Sequence, residues 1–135
     1  MSVKRQIYQI KVTLQGITPP IWRRIQVRDN TRLDKLHDVI QVVMGWTNSH
    51  LHQFIVGETY FGMAEPYYDE LEMSDETAFR LNQITRNEED AFIYEYDFGD
   101  SWTHELLVEK ITSPDEGARY PVCPVSYTHL TLPTN

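Results

Sequence analysis

The sequence predicts an α+β domain, a mainly antiparallel β-sheet with one principal amphipathic helix packed across it. Three observations lead there. Period-two alternation recurs in several short segments, and a single segment carries apolar residues at helical spacing. The densest strand pattern, YEYDFGDSWTHELLVEKI in 94–111, folds back on itself as a hairpin. With 135 residues the chain fits one domain around one hydrophobic core.

Taken in order, Tyr8, Ile10, Val12 and Leu14 alternate with Gln9, Lys11 and Thr13, which marks a half-buried strand ended by Gly16 and Pro19-Pro20. In a second strand, 21–27, Ile21, Ile25 and Val27 share a face with Arg23, and Trp22, Arg24 and Gln26 take the other. Arg23 is expected to run its aliphatic stem along the sheet edge or to meet a carboxylate. Thr31-Arg32-Leu33-Asp34 has the form of a capping box with Asp in place of Glu. Leu33, Leu36, Ile40, Val43 and Met44 then keep helical spacing up to Gly45, so the helix is placed over 32–44.

A third strand, 50–56, sets His50, His52, Phe54 and Val56 on one face, and Gly57-Glu58 turns it into 59–61. The segment 62–90 holds Pro66, Tyr67-Tyr68 and the acidic runs DELE and NEED, and reads as surface loop with a short strand at 78–80 and a helical turn at 81–85. In the hairpin, Phe92, Tyr94, Tyr96 and Phe98 alternate with Ile93, Glu95 and Asp97. Gly99-Asp100 turns, and Trp102, His104, Leu106 and Val108 alternate on the return, with Phe98 and Trp102 expected as core anchors. A turn-rich exit follows at 113–117. The last stretch, 126–135, has no charged residue and reads as a non-native or disordered tail without part in folding, which leaves 1–125 as the domain.

Twenty acidic against 12 basic residues give a formal charge of −8, which repels phosphate backbones and disfavours direct nucleic-acid binding. The single cysteine, Cys123, excludes an intramolecular disulfide. No apolar run approaches the roughly 18 residues of a membrane span, and the N-terminal residues lack an apolar signal core, so the expectation is cytoplasmic residence without membrane contact.

The motifs WRR at 22–24, MGWTNSHLHQF at 44–54 and YDFGDSWTHELLVE at 96–109 occur in an order that resembles the plasmid pRiA4b ORF-3-like family. The resemblance runs from about residue 7 to 122, and YDFGD-x-W-x-H is its most specific part. It implies an α+β domain of unknown biochemical role. Some members carry resolvase, transposon-passenger or repressor labels resting on gene context, which implies a link to plasmids or mobile elements. The family usually continues beyond a YPVC-like segment, here 120–123, with a further cysteine and an acidic Pro-Pro-Glu-Asp-type motif, where this chain runs into SYTHLTLPTN.

Chemistry in this chain centres on histidines. His50 and His52 on one strand face lie about 7 Å apart at Cα, a spacing from which two imidazoles can converge on a metal. His104 with Asp97 or Asp100 would complete such a site if the strands pair. The favoured expectation is instead a hydrogen-bonded cluster with at least one imidazole on a carboxylate or backbone carbonyl, and no metal or cofactor. Asp97 and Asp100 at the hairpin tip are expected to accept backbone N–H bonds. There is no HExxH, paired CxxC, Gly-rich phosphate loop or Ser-centred elbow. The resulting expectation is a non-enzymatic binding module whose cleft, drawn from Trp22, Arg24, Trp46, His50, His52, Tyr96 and Trp102, takes a protein segment or small-molecule ligand. The alternative is a small acid–base enzyme using Asp97, Asp100 and His104, or a metal-dependent one with His50, His52 and His104 as ligands.

Overall fold

The structure, a computed structural model, describes residues 5–63 and 73–127. Its eight strands are β1 (Ile7–Leu14), β2 (Ile21–Arg28), β3 (His52–Val56), β4 (Thr59–Gly62), β5 (Ser74–Asp75), β6 (Ala91–Tyr96), β7 (Trp102–Thr112) and β8 (Val122–Tyr127). The helices are α1 (Leu33–Met44) and the single turn α2 (Leu81–Ile84), with a 3₁₀ turn at Glu76–Ala78. All strands join one sheet in the order β5-β4-β3-β6-β7-β1-β2-β8, antiparallel throughout except for β4 with β5. The α+β class read from the alternating segments is therefore the observed one.

The helix lies on the sheet because both present apolar stripes. Leu33, Leu36 and Ile40 pack with Ile10, Val12, Ile25, Val27, Phe54, Phe92, Tyr94, Leu106 and Val108, all buried. Gly45, at φ 77°, ends the helix, and the Trp46 N–H closes back on the Gln41 carbonyl at 2.9 Å while the Gly45 N–H reaches Val42. That closure turns the chain so that Trp46 re-enters the core. Arg23 is partly buried on β2, which lies between β1 and β8 in the sheet. It donates from Nε to the Val43 carbonyl at 2.9 Å, placing a cation at the negative end of α1, whose own last turn has no basic residue.

Four local expectations need correction. Thr31 is not the helix cap; its hydroxyl donates to the Arg28 carbonyl, the capping position falls to Arg32, and Asp34 pairs with the Arg32 guanidinium instead of reaching back. Residues 78–80 form no strand, since Arg80 makes only an isolated bridge with Arg32 and the short strand lies earlier, at β5. The β6–β7 connection is a five-residue loop, 97–101, with Asp97 (φ 63°) and Ser101 (φ 57°) in the left-handed region. That loop pairs Tyr96 directly with Trp102, which puts both on the core face and leaves Phe98 at the tip, 40% exposed. Finally, β8 continues through Ser126 and Tyr127, opposite Arg23 and Trp22, so the first two residues of the uncharged terminal stretch belong to the sheet. The run 128–135, and the Pro66, Tyr67-Tyr68 and DELE segment within 64–72, lie outside the described residues.

Candidate functional site

The sheet register decides where the histidines go. His52 pairs across β6 with Tyr96 and on to Trp102, while Phe54 pairs with Tyr94 and on to His104. His52 and His104 thus occupy one sheet face, but the Tyr94 ring stands between them, 5.9 Å from one imidazole and 5.3 Å from the other. The two rings take separate partners.

His104 is fully buried, and both its nitrogens are engaged. The Trp46 indole N–H, which can only donate, reaches Nε2 at 3.2 Å, so Nδ1 carries the proton and donates to the Tyr94 carbonyl at 3.1 Å. Burial lowers the His104 pKa and keeps the ring neutral. The cluster around it, Trp46 against Tyr96 and Trp102 with ring centroids 5.3 and 5.7 Å away, forms one end of the core.

A second histidine, not singled out in the sequence, forms the other half of the arrangement. His37 on α1 lies flat on His52, ring centroids 3.5 Å apart. Its hydrogen bonds belong to a closed circuit whose direction follows from one irreversible donor. The Asn48 backbone N–H donates to Gln41 Oε1 (2.7 Å), so Gln41 Nε2 donates to the Tyr94 hydroxyl (2.8 Å). That hydroxyl then donates to His37 Nδ1 (2.6 Å), and His37 Nε2 donates to Asn48 Oδ1 (2.9 Å). Burial, then the neighbouring His52, lower the His37 pKa, and burial drives that of Tyr94 far up. His52 in turn donates from Nε2 to Glu76 Oε1 at 2.7 Å, both side chains being buried.

The open side of this pair is a cleft of about 470 Å³ beside α1, lined by His37, His52, Asn48, Met63, Thr77 and the carboxylates of Asp34, Asp38, Asp75 and Glu76. Asp75 accepts from the Thr77 hydroxyl and backbone N–H, which lowers its pKa and holds it ionised. Size and lining suit a small group or a single side chain.

The other anticipated residues lie elsewhere. His50 precedes the strand; its side chain is half exposed, with Nε2 3.6 Å from Asp97 Oδ2. Asp97 Oδ1 accepts from the Gly99 N–H (3.2 Å) and, more weakly, from that of Asp100 (3.4 Å), a turn-fixing role. Asp100 is exposed. Arg24 is held bidentate by Glu109 at 2.7 and 3.0 Å on the outer sheet face, beside Trp22, whose ring lies 4.9 Å from Lys11 Nζ. The Tyr96 hydroxyl accepts from the Ser49 N–H at 2.8 Å. His50, His52, Asp97, Asp100 and His104 therefore do not converge, and among the described residues no three His, Cys, Asp or Glu side chains are grouped as metal ligands.

These observations place a histidine-walled cleft on a sheet-and-helix frame shared with other proteins. The family model for plasmid pRiA4b ORF-3-like proteins matches residues 6–128. The chain belongs to that family. An uncharacterized protein, y4hQ, from Sinorhizobium fredii (strain NBRC 101917 / NGR234) is 34% identical over 116 residues, covering 86% of this chain and 59% of the relative, so the chain spans somewhat over half of that protein. A crystal structure of a protein of unknown function, MM3350, from Methanosarcina mazei Go1 superposes with a TM-score of 0.81 at 34% identity, covering 92% of this chain and 70% of that one. No helix among the described residues is long and apolar enough to cross a membrane.

Of the cleft wall and the circuit behind it, His37 and Gln41 were accessible to sequence reasoning. They stand four apart on one flank of the Leu33, Leu36, Ile40 stripe, where polar side chains meet the sheet. Glu76 carried no such signal, because it belongs to an acidic segment without periodicity.

Proposed function

We propose that this domain is a non-enzymatic binding module whose histidine-walled cleft takes a cationic group, a protonated amine or guanidinium, borne by a protein segment or a small molecule. The observation that carries the reading is the internal use of the polar wall. Both ring nitrogens of His37 and the hydroxyl of Tyr94 are spent on one another's circuit, and His52 Nε2 is spent on Glu76. A wall bonded in this way is fixed in shape before a ligand arrives, which lowers the ordering cost of binding. Asp38 and Asp75 supply the negative charge around it, Asp34 being paired with Arg32. The same saturation argues against acid–base work by His37 or His104, since a general base needs a lone pair facing its substrate.

The test is a titration of the full chain with N-acetyl-lysine methylamide and with acetate, read by ¹H–¹⁵N shifts. Saturable changes confined to cleft residues for the amine, absent for acetate and weakened at least fivefold by Asp75→Asn, support the reading. No saturable change, or changes spread over the surface, contradict it.

A further inference from the structure

On the other flank of α1 the charge reverses. A cavity of about 540 Å³ is lined by Arg28, Arg32, Lys35 and Arg80, four of the chain's 12 basic residues, in a protein whose net charge is −8. Such crowding of cations costs self-repulsion, and two structural features hold it in place. Arg28 has its guanidinium carbon 5.7 Å from the centroid of the Tyr120 ring, a cation–π contact that orients the fork. Arg80 donates from Nη1 to the Asn30 carbonyl at 2.7 Å, which fixes one arm of its fork. Lys35 is exposed. Arg32 is partly neutralised by Asp34 at 2.8 Å, and Asp38 is the one carboxylate in the lining. Four cations against Asp34 and Asp38 leave a local charge of +2. The first turn of α1, with the positive end of its dipole, opens on the same cavity.

Asn30, Thr31 and the Tyr120 ring also line the cavity, and part of the wall is apolar. Val27, Val39 and Pro121 line the cavity, and Val39 and Pro121 continue into a second hollow of about 310 Å³ with Val42, Val43 and Val122. Val42 is 80% exposed, whereas Leu33, Leu36 and Ile40 of the same helix are buried and Val39, Val43 and Met44 partly so.

We infer that this cavity binds a phosphomonoester with a compact apolar or aromatic body, its dianionic phosphate among Arg28, Lys35 and Arg80 and its body against Val39 and Pro121. The charge matches: a phosphate monoester carries close to two negative charges at neutral pH, and guanidinium forks pair with its oxygens two at a time. A carboxylate would leave one cation uncompensated. The inference is independent of the cation-binding cleft, because α1 separates the two and only Asp38 lines both.

Phenyl phosphate, inorganic phosphate and benzoate, each titrated into the full chain and followed by ¹H–¹⁵N shifts, test it. The expected result is saturable shifts at Asn30, Thr31 and Val39, with phenyl phosphate at least tenfold tighter than inorganic phosphate and benzoate weaker than either. Lys35→Met and Arg28→Gln, both at exposed positions, should each weaken phenyl phosphate at least fivefold while leaving the amide spectrum otherwise intact. Equal affinity in both variants, no saturation below tens of millimolar, or a response to heparin with none to phenyl phosphate would overturn it, the last showing a nonspecific polyanion surface.

Discussion

The His37 and His52 rings lie face to face, 3.5 Å apart and 8° from parallel, joining α1 to the first residue of β3 through two imidazoles beside the apolar packing of the core. The stack persists because each ring is anchored from its own side, His37 by Tyr94 and Asn48, His52 by Glu76. Removing one anchor should loosen the other ring. Glu76→Gln keeps the shape but weakens a charge-assisted bond between buried groups, and is expected to cost about 1–3 kcal/mol in urea unfolding. A variant as stable as the parent would mean that Glu76 does not hold His52.

Acid should destabilise the fold before its carboxylates titrate. His37 and His104 have folded pKa values below the ordinary 6.5 because burial disfavours the imidazolium. Between that depressed value and about 6.5 the unfolded chain binds more protons than the folded one, so stability is complete above this window and falls as pH drops through it. Each histidine contributes about 1.4 kcal/mol per pH unit of the window. The unfolding free energy at pH 5.5 is expected to lie below that at pH 7.5. A further decline below pH 4.5 follows from Glu109, whose carboxyl is held low by Arg24. Equal stability at pH 7.5 and 5.5 would show that neither ring is kept neutral by the fold.

Phe98 and Trp102, alike in the alternating pattern of the sequence, should separate in their effect on stability. Phe98 at the loop tip is 40% exposed, and Phe98→Ala is expected to change stability by no more than about 0.5 kcal/mol. Trp102 packs on Trp46, and Trp102→Ala should cost about 3 kcal/mol. Comparable losses from both in parallel denaturation curves would contradict the five-residue loop.

How far the sequence led depends on which interaction sets each feature. The strands at β1, β2, β6 and β7 and the helix α1 were legible because one-sided burial imposes a period on the residues themselves. Phe98 departs from that period because alternation holds only while both strands remain paired, and the left-handed residues Asp97 and Ser101 end it. His50 was assigned to a strand that begins two residues later, so it was grouped with His52 although the chain directs the two to different partners. The circuit through Asn48, Gln41, Tyr94 and His37 joins positions up to 57 residues apart, and nothing local marks it. The cation cluster was hidden likewise, since Arg80 is 52 positions from Arg28 and an acidic total says nothing about local crowding.

Pairing of β8 with β2 makes the terminal stretch testable. Cutting after Val125 removes the pairs of Ser126 with Arg23 and Tyr127 with Trp22, and should lower Tm by a few degrees relative to a chain cut after Tyr127. Identical melting curves for the two would show that β8 ends earlier than the register indicates.

The claim that the histidines shape this site rather than perform chemistry is tested most directly by their protonation and tautomers, read from long-range ¹H–¹⁵N imidazole spectra at pH 7, with and without one equivalent of zinc. The hydrogen bonds require His104 to carry its proton on Nδ1 and His37 on Nε2, both neutral and both unchanged by the metal. An imidazolium at either position, the opposite tautomer, or displacement of the His37 or His104 signals by stoichiometric zinc would contradict it.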